Sequence, residues 1–502
     1  MFRQNGAHLR VQFQLERNSP LSLDRQIAQT IREAIQKGQL QPGDRIVPIR
    51  LLAQHLGVAR ATVDAAFGML TAEGYLETAR GRGSFVSTRL PVQTQFASAP
   101  AGPDPDTPAR PKRMSRHAVD CIQALDDLAV QSSTPLAIAS TSREASPGRE
   151  FTDLLVKNAQ QYTQRLNYGD PQGLPELREA VCEVAQRQRG VNSSPDRVII
   201  TTGSQLGILM SLKILFSPGD KVWIEDPHYP LLRAAASTQD VRPVFVPVDD
   251  EGFNLKEALA TEPDARGVFL TPSHQCPLGM MMSIARRREI LQWARSSGSW
   301  IIEDDYDSEL RYGGNLAYPS LQGMDKDDSV IHVGTFSKSL FPGLRLGYLV
   351  VPRALVKAFA GMRFLIDRQS NELMQRTVAD YIKQGYYETH LLKMRRIFEA
   401  RRDYLIESVK ANFGDWGRFM ATGQGMHMTF LFYNQAIDDE AVAAECRAQG
   451  LELRSVSSFY AGKPRFKGLV MGFGHFPPSQ LLAAVSRIGF VLRDKFSAFA
   501  PR

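Results

Sequence analysis

Two rhythms of apolar positions divide the chain. From Leu21 to Lys37 the residues Leu23, Ile27, Ile31, Ala34 and Ile35 recur at helical spacing, and Gly38 with Pro42-Gly43 stops the run. Pro48 then opens IRLLAQHLGVARATVDAAFGMLTAEGYL, in which Leu51, Leu52 and Leu56 predict a short helix, Gly57 a tight turn, and Val63, Ala66, Phe67 and Leu70 a second helix. After Gly74, the stretch YLETARGRGSFV predicts two short strands around Ala79 to Gly83, a turn that carries Arg80 and Arg82. Further on the rhythm changes. Short β-branched runs (RVIITT, KVWIED, RPVFVPV, GVFLTP, WIIEDD, VIHVGT, GYLVVP) alternate with longer helix-like stretches, which predicts a mostly parallel sheet with helices on both faces.

Between the two rhythms lies PVQTQFASAPAGPDPDTPARP, residues 91–111, with six prolines and no periodicity, the composition of an extended linker. The expected division is a helical, winged domain at 15–88, a linker at 89–118 and an α/β domain at 119–497. With 502 residues, 43% hydrophobic and 23% charged, the chain has the composition of a globular protein with more than one core. No apolar run approaches the roughly 20 residues of a membrane span, and MFRQNGAHLR lacks the apolar core of a signal peptide. Four scattered cysteines suggest neither a disulfide framework nor a metal knuckle, so a cytoplasmic setting is expected. Charge sharpens the division: residues 1–90 hold 12 Lys+Arg against 7 Asp+Glu, and the other 412 residues 48 against 46. Five of the seven net positive charges therefore sit in the helical segment, which points to a polyanion.

A helix of that size enters a major groove and would present Arg60 and Thr62 from its first turn, while Arg82 on the hairpin meets phosphate or minor groove and Gly81 and Gly83 permit close approach. The competing reading is a small helical cap whose arginines only solvate it. The stretch PLSLDRQIAQTIREAIQKGQLQPGDRIVPIRLLAQHLGVARATV resembles the winged helix-turn-helix domain of the GntR family. That resemblance implies contacts to double-stranded operator DNA by Arg50, Arg60, Thr62, Gly81, Arg82 and Gly83. Two departures, Ala59 for a hydroxyl residue and Asp64 for a basic one, imply fewer phosphate contacts and a flatter salt dependence.

In VIHVGTFSKSLFPGLRLGYLVV a strand leads to Thr335, Ser337 and Lys338, with Arg345 before the next strand. A lysine that bonds a carbonyl must lose its proton, and a cofactor phosphate needs hydroxyls and a guanidinium; a surface lysine between strands is the plainer reading. WIIEDDYDSELRY delivers Asp304 and Tyr306 to a strand's C-terminal end, where a buried carboxylate would hold a ring nitrogen protonated, or where the acidic run is merely a solvated loop. In VIITTGSQLGILMSLKILF a strand runs through Ser204 and Gln205 into a helix, either a phosphate cradle or an ordinary cap. Tyr229 in KVWIEDPHYPLLR is placed to stack on a flat ring or to pack.

The combination resembles the fold-type I aminotransferases, which depend on pyridoxal 5'-phosphate, and with the N-terminal segment the chain is similar to the MocR subfamily of GntR-type regulators. Further matching stretches are NYGDPQGLPELR, TPSHQCPLG and KMRRIFEARRDYL. The resemblance implies that Lys338, the catalytic position, bonds the cofactor, Asp304 pairs with the pyridine nitrogen, Tyr306 with the phenolic oxygen, and Tyr229 stacks on the ring. Ser204, Gln205, Thr335 and Arg345 would hold the phosphate, and Tyr168 would reach in from the partner of a head-to-tail homodimer. Cys276 stands where aminotransferases carry an asparagine on the phenolic oxygen, leaving His274 or Gln275 as substitutes; His274 reads equally as a structural loop residue. The usual carboxylate-clamping arginine falls on Gly468, with Arg465, Lys467 and Arg454 as the nearest cations. The implied function is a cytoplasmic transcriptional regulator that senses a small amine, an amino acid or the cofactor itself; the alternative is a working aminotransferase carrying a DNA module.

Overall fold

The apolar stripe at the N-terminus closes three helices on one another: α1 (Leu23–Gln36), α2 (Ile49–Leu56) and α3 (Arg60–Ala72). Ile27, Ile31 and Ile35 of α1 meet Leu52 of α2 and Val63, Phe67 and Leu70 of α3 in one buried cluster. Each such side chain contributes about 1.5–3 kcal/mol on burial. Of Leu51, Leu52 and Leu56, whose spacing predicts this helix, Leu52 is buried beside Ala53, Leu56 packs half-buried against the cluster and Leu51 is exposed. Gly57 ends α2 at φ 62°, a left-handed position natural to glycine. The wing is an antiparallel hairpin of β1 (Leu76–Ala79) and β2 (Gly83–Val86), registered Leu76 to Val86 and Ala79 to Gly83.

The computed structural model describes residues 11–79, 82–90, 113–128, 134–138, 141–162, 167–313 and 318–501. The chain separates into two units, Met1–Arg113 and Met114–Arg502. Arg80, Gly81 and residues 91–112, most of the expected linker, lie outside the described residues. A helix over Arg116–Leu128 begins within the stretch assigned to the linker from composition.

In the second unit, β3 (Val198–Thr201), β4 (Lys221–Asp226), β5 (Arg242–Asp249), β6 (Gly252–Phe253), β7 (Gly267–Leu270), β8 (Trp300–Asp305), β9 (Val330–Thr335) and β10 (Gly347–Val350) form one sheet in the order β3-β10-β9-β8-β7-β4-β5-β6. The pairs β4–β5, β4–β7, β7–β8 and β8–β9 are parallel, while β10 runs antiparallel to both β3 and β9. The C-terminal ends of β3, β4, β7, β8 and β9 therefore share one edge of the sheet, the place where ligands bind in open α/β folds. Helices cover both faces, with Ile302 and Ile331 packed on one side and Ile301 and Val330 on the other. A second, antiparallel sheet is formed by β11 (Gly417–Phe419), β12 (His427–Phe432), β13 (Arg454–Ser455) and β14 (Gly468–Gly472) in the order β11-β12-β14-β13. Among the described residues, no helix is long and apolar enough to cross a membrane.

Candidate functional site

Beyond β3 the backbone turns at Gly203, with φ 110° and ψ 167°, and enters the helix Ser204–Leu215. Only glycine takes that φ without strain, and a Cβ there would stand 3.4 Å from the Arg345 Nη1. Arg345, itself left-handed at φ 50°, thus lays its guanidinium against the start of the helix. Thr335, the last residue of β9, accepts the Ser337 N–H at 3.1 Å and donates its hydroxyl to Ser337 Oγ at 3.0 Å. Ser204 and Gln205 occupy the helix's first turn, and the buried Gln205 Oε1 has no partner among the described residues. Free helical N–H groups, hydroxyls and one guanidinium make a cradle suited to a phosphate dianion.

Next to it, β8 ends in carboxylates that are buried rather than solvated, against the loop reading of EDDYD. Glu303 accepts the backbone N–H groups of Leu321 at 2.7 Å and Gln322 at 3.0 Å and pairs with His332 at 3.2 Å. Burial alone would raise the Asp305 carboxyl, but Arg189, with Nε at 2.7 Å, draws it below its ordinary value. Asp304 differs: its Oδ1 is buried and has no hydrogen-bond partner among the described residues. Burial, reinforced by Asp305, pushes its pKa up to about 7. A carboxylate so placed is matched by a cation with one N–H, which a protonated pyridine ring offers.

Burial lowers the pKa of Lys338, while Asp307, Cys276 and Asp304 pull it upward. Burial also raises the Tyr229 hydroxyl; Asp304 and Cys276 add to that shift, and Arg345 and Arg454 oppose it. Tyr229, the Asp304 carboxylate, Lys338, Cys276 and the phosphate-cradle arginine thus lie close enough to act on one another's charge, and the donor set fits pyridoxal phosphate. When bound, that group supplies an aldehyde carbon for an amine and an electron-accepting ring.

The Tyr306 hydroxyl donates to the His274 carbonyl oxygen at 2.9 Å and lies 3.2 Å from His274 Nδ1. That nitrogen is 2.9 Å from each carboxylate oxygen of Asp307. His427, at the start of β12, stands with its ring 5.0 Å from that of His274; burial, then His274, lower its pKa to about 3. Gln275 is engaged with the Pro227 and Cys276 carbonyl oxygens and the Leu278 N–H, which removes it as a substitute for the aminotransferase asparagine.

Tyr168 is not gathered with these groups in its own chain. It is 75% exposed, and its ring lies 4.4 Å beneath the Arg368 guanidinium. Spacing alone did not single out Asp307, His427 or Arg189, whose partners come from elements distant in sequence. Arg454 was only one of three candidate cations; the structure sets it at the wall of a cavity of about 1100 Å³, with His228, Arg233, Ser457, Tyr460 and Lys463. On the first unit, Arg50 and Arg60 are exposed, and Arg60 opens α3, whose N-cap Ala59 makes no side-chain cap. Thr62 is half-buried on the same turn; Arg82 and Gly83, at φ 97°, lie exposed on the wing. Gly81 lies outside the described residues.

Residues 23–86 match the family described as bacterial regulatory proteins, gntR family, and residues 135–469 match aminotransferase class I and II. The probable rhizopine catabolism regulatory protein MocR of Rhizobium meliloti is 31% identical over 477 residues, 94% of each chain. The HTH-type transcriptional regulator TauR of Rhodobacter capsulatus is 32% identical, covering 94% of this chain and 97% of its own. Among solved structures, the α-aminoadipate aminotransferase LysN of Thermus thermophilus superposes with a TM-score of 0.68 at 22% identity, over 77% of this chain and 98% of LysN. The kynurenine aminotransferase of Pyrococcus horikoshii gives 0.66 at 24%, over 77% and 96%. These likenesses establish the aminotransferase fold of the second unit. The chain belongs to the MocR-like transcriptional regulators, in which a gntR-family DNA-binding domain precedes an aminotransferase class I and II domain.

Proposed function

We propose that this regulator binds operator DNA in the cytoplasm through Arg50, Arg60 and Thr62 of the helix-turn-helix and Gly81, Arg82 and Gly83 of the wing, and senses a small amine or amino acid through pyridoxal phosphate held at Lys338. In this reading the domains are those expected from the sequence: a reader at 15–88, a linker at 89–118 and a sensor at 119–497. The observation that carries this reading is the buried Asp304 Oδ1, without a hydrogen-bond partner among the described residues, whose carboxyl acts electrostatically on both Lys338 and Tyr229. Lys338 would hold the cofactor through its aldehyde carbon, the group for which an amine effector would compete. Arg454, whose charge is felt by both Tyr229 and Cys276, is the cation placed to take an effector carboxylate. The exposed Tyr168, Phe364, Leu365 and Ile366, with Arg368 over the first two rings, suit association with a second copy that brings Tyr168 to the partner's phosphate cradle.

The test is chemical. Borohydride reduction of the protein incubated with pyridoxal phosphate, followed by peptide mapping, is expected to leave the label on Lys338; label spread over surface lysines, or retained by Lys338→Ala, would overturn the assignment. A turnover reading also has support, because burial lowers the Lys338 pKa and so favours the neutral amine that transamination needs. Several cycles of conversion with an amino acid and a keto acid would establish that second activity.

A further inference from the structure

Behind Tyr306 stands a group of buried polar side chains drawn from three separate segments. His274 follows β7, Asp307 follows β8 and His427 begins β12; none is more than 9% exposed. The His274 ring is held in place by backbone: a Cβ at Gly425 would collide with it, and one at Gly279 would come within 3.2 Å of its Nε2. The neighbouring Cys276 offers no amide where the asparagine of aminotransferases would stand.

We propose that the His274–Asp307 pair is a positioning device that directs the single Tyr306 proton toward the cofactor's phenolic oxygen and holds a negative charge behind it. The inference rests on Tyr306 being that oxygen's partner.

The hydrogen-bond inventory supports it. An ionised carboxylate only accepts, so His274 Nδ1, 2.9 Å from both Asp307 oxygens, carries the hydrogen. A protonated Nδ1 cannot accept from the Tyr306 hydroxyl 3.2 Å away. The Tyr306 proton is left with two destinations, the His274 carbonyl oxygen at 2.9 Å and whatever lies in the cofactor space. Fixing one tautomer of His274, as a buried carboxylate orients a catalytic imidazole, thus removes Nδ1 as an acceptor and leaves the phenolic oxygen to compete for the Tyr306 proton with one carbonyl only. The groups that face Tyr306 from the packed elements are Asp307 and Asp304 beside it, Cys276 on the β7 loop and Glu225 on β4; His427 of β12 and Lys338 face the pair. Asp307 is the largest charge in this set acting on both Tyr306 and Lys338.

The experiment follows the visible absorbance of the pyridoxal phosphate-loaded full chain from about pH 5 to about pH 10. Asp307→Asn keeps the shape and removes the charge, so the midpoint of the absorbance transition is expected to fall by about one pH unit or more. His274→Asn retains an N–H near the Nδ1 position and is expected to stay within about 0.3 unit of wild type, whereas His274→Phe keeps the ring and loses the nitrogen, and shifts the midpoint by about one unit or more. A merely structural role for the ring gives the reverse order, Phe like wild type and Asn shifted, and would overturn the proposal, as would an unchanged midpoint in Asp307→Asn. One equivalent of a transition ion that copurifies and is lost in His427→Ala would also overturn it, because the three side chains would then be a ligand set. No visible band in wild type would instead refute the cofactor reading itself, and this inference with it.

Discussion

Replacing Asp304 by asparagine removes one buried charge and almost no volume, and its effect on the cofactor-free protein follows from the pKa of the group. The carboxyl titrates near 3.8 when exposed and at about 7 in the fold. The folded state therefore holds this proton more tightly than the unfolded chain; the stability it contributes is complete below about pH 4 and is lost as the pH rises through about 7. Over the roughly 3 intervening units, at about 1.36 kcal/mol per unit, the loss is on the order of 4 kcal/mol. Glu225 and Glu309, also raised to about 7 chiefly by burial, add losses in the same window that the substitution leaves in place. Urea unfolding of the second unit, followed at pH 5 and pH 8, should show Asp304→Asn more stable than wild type by about 4 kcal/mol at pH 8 and by less than half of that at pH 5. Pyridoxal phosphate should then stabilise wild type more than the variant, because the pyridine nitrogen supplies the cation that Asp304 lacks. A variant equal to or weaker than wild type at pH 8 without cofactor would refute this account of the carboxylate.

Arg60→Ala should cost about 1–3 kcal/mol of operator affinity and relax sequence preference in a fluorescence titration, while Arg82→Ala should weaken all sequences alike and reduce the salt slope by about 1. Arg454→Ala should weaken the response to amino acids at least tenfold and leave the response to simple amines within about twofold, a loss of about 1.4 kcal/mol or more for one charged contact. In the reader itself, Phe67→Ala should cost about 3–5 kcal/mol, read by thermal unfolding, since its ring fills the cluster between α1 and α3.

Much of this arrangement is legible along the chain because it is local. The stripe from Leu23 to Ile35, the glycine at 57 and the β-branched runs each announce an element, and Ser204, Thr335 and Lys338 sit at strand ends where a single stretch of sequence reveals them. The acidic run at 303–307 was ambiguous because three carboxylates in succession usually face water. Here β8 is buried on both faces, and Glu303, Asp305 and the following Asp307 find their partners, His332, Arg189 and His274, in other segments, while Asp304 Oδ1 has none among the described residues. Arg454 stands on a strand of only two residues, without periodicity to mark it. Its nearness to Tyr229 depends on how the second sheet meets the first, which no local pattern encodes.

Coupling of an amine-sensitive cofactor site to DNA binding within one chain is read out by an operator titration. Wild type and Lys338→Ala are titrated with operator DNA by fluorescence anisotropy, with and without pyridoxal phosphate and with a panel of amines and amino acids. The coupling requires an effector with different affinities for the two states. At least one amine should change wild-type operator affinity fivefold or more in the presence of cofactor, corresponding to about 1 kcal/mol of coupling, and should leave Lys338→Ala unchanged. An effector response that is the same in both proteins, or that needs no pyridoxal phosphate, would contradict it.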